Sequence, residues 1–327
     1  MTHISKIKSF KMAVIITAIF VSTSAVSQQN KIAYDLMDSM IEASNSLNYS
    51  GLVTYEKAGR LKTSKMLHLI RDDMTFEQLT HLDGPAGQIS WRRTDGGCEK
   101  AAAADIEIGS RPILTGDSFE RIKASYSFEI RGQSRVAGRE ATTIILKPKD
   151  KFRLPLFVAI DNQSKLMLMS VILSLAGKPL ERFQFVEIEV GGDLDSMLVP
   201  DAQTNLDERC VNAASQIPAG EWNVGLVPPG FFLTSSKKEP SMGQSVLGFS
   251  DGLTTFTVFI ESAQISSKIP PFTYTHGATA AVSTKLKVQG DEFTVSVVGE
   301  IPIDGAKQIA QSVNHASKIL KLPYLQR

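Results

Sequence analysis

Apolar residues recur along the chain with two different spacings. Between residues 31 and 46 they return every three or four positions, which predicts a helix with one apolar face. From Gly51 onward the spacing shortens towards two, and short polar turns separate the apolar runs. This second pattern predicts consecutive antiparallel strands, because short turns join neighbouring strands that run in opposite directions.

Two strand candidates depart from simple alternation. The runs RLPLFVAI (153–160) and KLMLMSVILSL (165–175) are apolar at neighbouring positions, which indicates strands that are covered on both faces. One arrangement is a half-barrel around an apolar ligand pocket; the other places the N-terminal helix on one face and a second domain or a dimer partner on the other. The candidate pocket residues are Leu154, Leu156, Val158, Met167, Met169 and Val171.

The patterning weakens after the last of these strands and then resumes. We therefore predict a first domain over residues 28–198, a linker over 199–221 and a second domain over 222–327. The second domain has strand patterns within 244–262, 278–288 and 291–302. It ends in a helical pattern over 303–320.

The pattern of charged, apolar and small residues over positions 1–27 predicts a secretory signal peptide. Three lysines precede an apolar run from Met12 to Val21, and small residues follow up to Ser27. The run is shorter than the roughly 20 residues that span a membrane, so an uncleaved anchor is the less favoured alternative. Removing this segment takes away three lysines and no acidic residue, so the formal net charge falls from +1 to −2. A slightly acidic, exported protein is a poor candidate for nucleic-acid binding.

The chain has two cysteines, Cys98 and Cys210. In an oxidising compartment two cysteines can form one bridge, and two free thiols are the alternative. The sequence has no C-x-x-C or H-E-x-x-H motif, and its histidines are scattered. We therefore predict no catalytic residues, no metal and no cofactor. The HLDG and SDG segments, at 81–84 and 250–252, are interpreted as turns in which Asp and Gly serve the backbone.

Basic residues cluster around two predicted hairpin turns. This cluster can meet acidic groups of a partner protein or lipid phosphates. Alternatively, it is a solvated sheet edge that discourages strand-to-strand aggregation. Its candidate binding residues are Arg135, Arg139, Lys147, Lys149, Lys151 and Arg153.

Several segments, in order along the chain, resemble the MucB/RseB family of envelope-stress regulators. They are LMDSMIEASNSLNYSG, HLDGPAGQ, SRVAGREATTIILKPKDKFR, LERFQFVEIEV, VPPGF, FSDGLTTFTVFIE and VVGEIPIDGAKQIAQSV. The resemblance implies an α+β fold: an N-terminal LolA/LolB-like antiparallel half-barrel with helices, and a smaller C-terminal α/β domain.

The resemblance also implies a function without chemistry. Such proteins act in the periplasm, bind the periplasmic part of a membrane anti-sigma factor of the RseA/MucA type, and shield it from regulated proteolysis. Lipopolysaccharide or lipoprotein would weaken binding to the anti-sigma factor. A homodimer is compatible with the family. The alternatives are a periplasmic lipid or lipoprotein carrier of the LolA/LolB type and, with less support, a secreted hydrolase. The presence of a second domain favours the regulator.

Overall fold

A computed structural model gives the architecture of the chain. It describes residues 30–72, 74–84, 89–95, 98–102, 116–192, 194, 206–210, 221–239, 243–262 and 270–316. The predicted signal peptide lies outside the described residues. Within the described ranges, no helix has the length and apolar character that crossing a membrane requires.

The N-terminal domain is one large antiparallel sheet with two helices. The helices are α1 (30–46) and α2 (Gly116–Ser125). The strands are β1 (Tyr49–Lys57), β2 (Arg60–Arg71), β3 (Met74–His81), β4 (Ile89–Asp95), β5 (Cys98–Ala102), β6 (Tyr126–Val136), β7 (Arg139–Pro148), β8 (Leu156–Asp161), β9 (Met167–Leu173), β10 (Pro179–Val190) and β11 (Leu206–Cys210).

Consecutive strands pair with each other on both sides of one long-range junction. The strand order is β11-β5-β4-β3-β2-β1-β10-β9-β8-β7-β6, so β1 and β10 join the two runs of hairpins at the centre. The predicted antiparallel pairing of the strands from β6 to β10 is confirmed. The sheet forms a half-barrel.

Helix α1 covers one face of this sheet. Its buried residues Ala33, Met37, Met40 and Ile41 pack in one cluster with apolar residues of α2 and of strands β6 to β8. The partners include Phe119, Phe128, Ile144 and Val158, all at most 3% exposed. The three-to-four spacing of α1 thus buries one side of the helix, as its sequence pattern predicts.

The C-terminal domain is a smaller sheet covered by one helix. Its elements are β12 (Trp222–Val224), β13 (Phe232–Glu239), β14 (Gln244–Ser250), β15 (Thr255–Ser262), β16 (Thr273–His276), β17 (Thr279–Val288), β18 (Asp291–Gly299), α3 (Ile303–Ser312) and β19 (Val313–His315). Six strands form the order β13-β14-β15-β18-β17-β16, and β12 pairs with β19. Ala306, Ile309 and Ala310 of α3 pack on Val258 and Val297 of the sheet. The predicted fold class is confirmed.

Two boundaries differ from the sequence prediction. Helix α3 ends at Ser312 rather than continuing to residue 320, because Val313 takes an extended conformation and pairs with Val224. A strand conformation suits the β-branched Val313 and buries its side chain. Part of the predicted linker, Leu206–Cys210, is strand β11 of the large sheet.

The pairing of β5 with β11 sets Cys98 opposite Cys210. Directly opposed residues of antiparallel strands have Cα atoms about 4.5–5.5 Å apart, a separation that a disulfide can span. We expect the oxidised protein to contain this bridge, with a stabilisation on the order of 4–5 kcal/mol from closing so long a loop. Mass-spectrometric peptide mapping without reduction checks it. Quantitative alkylation of both cysteines in the native, unreduced protein would contradict it.

Candidate functional site

The two domains contact each other through the loop between β7 and β8, residues 149–155. Two of its side chains, Lys149 and Lys151, are exposed, whereas Phe152 and Arg153 are buried. Phe152 lies against Gly305 of α3, where an added Cβ would come within 3.1 Å of the ring. The loop that the sequence marks as basic is therefore also the connection to the C-terminal domain.

Arg153 is the centre of the larger interdomain contact, which we call the arginine contact. Its Nε donates to Oδ2 of Asp251 at 2.6 Å, and both side chains are fully buried. Its Nη2 donates to the carbonyl oxygen of Pro229 at 2.6 Å, and its Nη1 pairs with Asp150. Two carboxylates and a carbonyl thus satisfy a guanidinium that would be very unfavourable if buried alone.

Aromatic rings enclose the arginine contact. The Arg153 guanidinium lies 4.5 Å from the ring centroid of Phe231 and 5.9 Å from that of Tyr126. The hydroxyl of Tyr126 lies 3.3 Å from that of Thr254 across the interface, and burial, together with the charge of Asp251, raises the pKa of Tyr126. This group therefore remains neutral at physiological pH.

A glycine permits the close approach at this point. Gly230 has φ +85°, and an added Cβ would lie 2.7 Å from Oγ of Ser125 and 3.1 Å from Nη2 of Arg153. A side chain here would separate the domains as well as strain the backbone.

Asp251 belongs to the SDG segment that the sequence assigns to a turn. Its Oδ1 accepts the backbone N–H groups of Leu253 and Thr254, at 2.9 and 2.7 Å, as such a turn requires. Its Oδ2 is the atom that Arg153 reaches from the other domain. One carboxylate therefore fixes the turn and the interface together, and the second role has no local signature in the sequence.

A second interdomain contact lies at the turn between β16 and β17; we call it the hairpin contact. Oε1 of Glu181, a residue of β10, accepts the backbone N–H of Ala278 at 2.9 Å. Lys57 of β1 lies 3.1 Å from the same oxygen and donates to Oγ1 of Thr279 at 2.9 Å. Tyr55 also donates its hydroxyl to Glu181. The hairpin of the second domain is thus held at the central junction of the large sheet.

Gly277 makes this approach possible. It has φ +61°, and an added Cβ would lie 2.7 Å from Oε1 of Glu181 and 2.8 Å from Cγ of Lys57. A further acidic residue, Glu300, follows β18 beside the same turn. Burial raises its pKa from the ordinary 4.5 to about 7, the negative charge of Glu181 adds to the rise, and Lys57 opposes it.

The candidate pocket residues divide between parts of the sheet. Leu156, Val158 and Met167 pack in the cluster beneath α1. Met169 packs in a separate cluster with Val136, Ala141, Ala159 and Leu168. Leu154 and Val171 are both buried, at 9% and 4% exposure. In the structure, α1 covers one face of strands β6 to β9, which we call the apolar ladder, as one of the two alternatives predicts. A ligand-binding role for the six candidate residues stays a prediction.

The candidate basic residues do not form one cluster. Arg153 is wrongly grouped with them: it is buried and paired at the domain interface. Arg139 pairs with the buried Asp161 at 2.8 Å. Burial by itself would raise the pKa of Asp161, but hydrogen bonds from Arg139 and Ser164 outweigh it and hold this pKa below its usual value. These two side chains line a polar cavity of about 450 Å³ at the β7–β8 end of the sheet.

The other basic residues remain at the surface. Lys147 pairs with Glu129 at 2.7 Å, and Lys149 donates to the carbonyl oxygen of Lys123 at 2.9 Å. Arg135 and Lys151 are exposed. Among the described residues, no group of three or more His, Cys, Asp or Glu side chains is placed to hold a metal ion.

Comparison with known proteins assigns both domains. The model of the MucB/RseB N-terminal domain matches residues 33–203, and the model of the MucB/RseB C-terminal domain matches residues 216–314. The chain belongs to the MucB/RseB family. This is a family of regulatory binding proteins, and both domain matches fall on the two units that the structure contains.

Individual relatives cover nearly the whole chain. The sigma-E factor regulatory protein RseB of Haemophilus influenzae is 29% identical over 301 residues, which cover 89% of this chain and 94% of the relative. The sigma factor AlgU regulatory protein MucB of Pseudomonas aeruginosa is 29% identical over 294 residues, covering 86% and 90%.

Solved structures of MucB share the fold. The complex of P. aeruginosa MucA and MucB matches with a TM-score of 0.71 at 27% identity, covering 86% of this chain and 98% of that chain. A crystal structure of MucB in complex with MucA(peri) matches with a TM-score of 0.70 at 26% identity, with the same coverage.

The arginine contact is expected to stabilise the assembly of the two domains strongly. Replacing Arg153 with Met leaves Asp251 buried without its cation, at a cost of about 3–5 kcal/mol in the free energy of unfolding measured in urea. Lys147→Met is the matched control, because its ion pair is exposed and contributes at most about 1 kcal/mol. The double variant Arg153→Met, Asp251→Asn removes both charges and keeps an oxygen acceptor for the turn, so it should recover much of the loss. A loss below 1 kcal/mol in the single variant would contradict a central role for this pair.

Proposed function

We propose that this protein regulates an envelope-stress sigma factor by binding the periplasmic part of a membrane anti-sigma factor. The observation that carries the proposal is the likeness to MucB in complex with MucA(peri), which extends over 98% of that chain and so includes both domains. Exported by its N-terminal segment, the protein acts in the periplasm and covers the anti-sigma factor against regulated proteolysis. It has no catalytic role.

The regulator senses lipid or lipoprotein through the N-terminal domain, and the C-terminal domain is the main element that holds the anti-sigma factor. The supporting observation is the division of the fold: the broad half-barrel carries the apolar strands, while the smaller domain is joined to it by contacts that include the arginine contact and the hairpin contact. Leu154, Leu156, Val158, Met167, Met169 and Val171 line or support the apolar site.

Coupling between the two ligands is thermodynamic. If lipid and anti-sigma factor favour different arrangements of the two domains, each weakens binding of the other by the same factor. A coupling of about 1–3 kcal/mol changes affinity roughly 5–150-fold, which is enough for a stress response. Two such arrangements would differ in the buried contacts at Arg153 and Glu181.

Exposed basic side chains offer a surface for acidic groups of the partner or for lipid phosphates. Arg135, Lys149 and Lys151 lie at two turns of the ladder and are exposed. Lys147 and Arg139 are paired with Glu129 and Asp161, so they contribute less free charge. Binding through such a surface is sensitive to salt, because exposed charges are screened.

A second candidate function is a lipid or lipoprotein carrier. The half-barrel with a helix across one face is the observation that favours it. The regulator is preferred because a carrier needs only the first domain, whereas here the second domain is joined to the first through fully buried charges.

A calorimetric titration separates the two functions. Residues 28–327 are titrated with the periplasmic segment of the cognate anti-sigma factor, with and without lipopolysaccharide. The regulator predicts tight binding that lipopolysaccharide weakens by roughly 5–150-fold. Absence of binding together with stoichiometric uptake of lipid alone would assign the protein as a carrier.

Replacing Met169 with Asp is expected to abolish the lipid response. Met169 is only partly buried and lies outside the cluster beneath α1, so a carboxylate here disfavours an apolar ligand without removing the main core. The measurement is the same titration, with circular dichroism to check folding. Leu175→Asp, at an exposed turn, is the control. An unchanged lipid response, or loss of the folded domain, would contradict the assignment.

A further inference from the structure

The two interdomain contacts differ in how they respond to protons. The arginine contact joins a guanidinium, which is always charged near neutral pH, to the carboxylates of Asp251 and Asp150. The hairpin contact contains two carboxyl groups, Glu181 and Glu300, and one lysine, Lys57. Its net charge therefore depends on whether Glu300 carries a proton.

The backbone places Glu300 at the hairpin contact. The pairing of β17 with β18 sets Ala280 opposite Gly299. Thr279 and Glu300 are the next residues along these two neighbouring strands, so their backbones lie side by side. Thr279 accepts the hydrogen bond from Lys57, and the backbone N–H of Glu300 is fixed by the carbonyl oxygen of Thr255 at 3.1 Å. The backbone of Glu300 is thus held beside Thr279, the residue to which Lys57 of the other domain bonds.

We propose that Glu300 is a proton-sensitive element that strengthens the contact between the two domains in acid and weakens it as pH rises. With Glu300 protonated, Lys57 and Glu181 balance each other's charge. With Glu300 ionised, two carboxylates lie near one lysine at a partly buried contact, and they repel each other. The repulsion is relieved when the hairpin turn moves away from Glu181, while the arginine contact keeps the domains connected.

The direction follows from linkage. The raised pKa of Glu300, about 7 against an ordinary 4.5, means that the joined state binds the proton more tightly than the separated state does. The contact is therefore strongest below pH 4.5 and weakens as pH rises towards 7. Above 7 it changes no further. Between pH 5.5 and 8.0 the equilibrium constant for closing the contact should fall by up to about thirtyfold, the limit reached if Glu300 has its ordinary pKa when the contact is open.

Other titratable groups near the turn have to be separated from Glu300. Glu181 of β10 and Lys57 of β1 act on the carboxyl group of Glu300, and Tyr55 donates its hydroxyl to Glu181. His276 begins the hairpin turn, and its ring stacks on that of Tyr274 with centroids 6.4 Å apart. Because His276 is an ionisable residue of the same turn, it has its own control variant.

The backbone N–H of Ala278 reports the contact directly, because its hydrogen-bond acceptor is Glu181 of the other domain. The experiment is hydrogen exchange of the full mature chain at pH 5.5 and pH 8.0, each rate divided by the intrinsic rate at that pH. Protection of Ala278 should fall tenfold or more at pH 8.0, while that of Val158, within β8, stays constant. Glu300→Gln should keep the high protection at both values. Glu181→Ala, which removes the acceptor of the Ala278 N–H, should lose it at both.

Two further variants keep the test decisive. His276→Gln should retain the wild-type pH dependence, and Lys57→Met should move the midpoint to higher pH, because the cation that opposes protonation of Glu300 is gone. Equal protection of Ala278 at both pH values in the wild-type protein would overturn the proposal. So would a wild-type pH dependence in Glu300→Gln, or its loss in His276→Gln. None of these measurements involves the anti-sigma factor, so the result is independent of the proposed function.

Discussion

The fully buried ion pair between Arg153 and Asp251 constrains how the two domains can be arranged. A guanidinium removed from water tolerates few positions, since each of its donors needs an acceptor and its charge needs a counter-charge. Here Asp251, Asp150 and the carbonyl oxygen of Pro229 meet those needs from both domains at once. A relative displacement of the domains by a few ångströms would leave charges buried and unpaired, so intermediate positions are strongly disfavoured. Such an interface has few discrete arrangements rather than a continuum of them.

The hairpin contact is built on a different balance. Lys57 retains partial contact with solvent, and Glu181 holds the second domain by a backbone N–H rather than by a full counter-charge. Contacts of this kind open at a lower cost than a saturated arginine site. The molecule thus combines one rigid connection, near α2 and the β7–β8 loop, with one more readily altered connection at the β1–β10 junction. A ligand that acts on the large sheet near β10 would reach the second domain through the latter.

Local patterns in the sequence predict most of the elements and not the contacts between domains. The spacing in residues 31–46 determines the buried face of α1, and the polar turns determine the antiparallel hairpins, because both depend on neighbours within the chain. The pairing of Arg153 with Asp251 joins residues 98 positions apart. Neither residue differs locally from ordinary turn residues, and Arg153 stands beside exposed lysines. The sequence pattern extends helix α3 beyond its actual end at Ser312. Val313 occupies an apolar position of the helical pattern, and the same apolar side chain is equally suited to the strand that it forms. The family resemblance supplied what the local pattern lacked, namely which units occur together.

The central pairing of β1 with β10 also governs when the large sheet can be completed. Strand β1 is joined to a partner about 130 residues further along, as the hydrogen bond between Thr54 and Gln184 illustrates. Until β10 and β11 are available for folding, β1 to β5 can pair only with one another, in an array with open edges at β1 and β5, and β6 to β9 form a second array. Closing such a long loop is slow, and open strand edges favour association with other chains. Assembly of this protein therefore depends on protecting a half-built sheet for as long as its last central strand is missing.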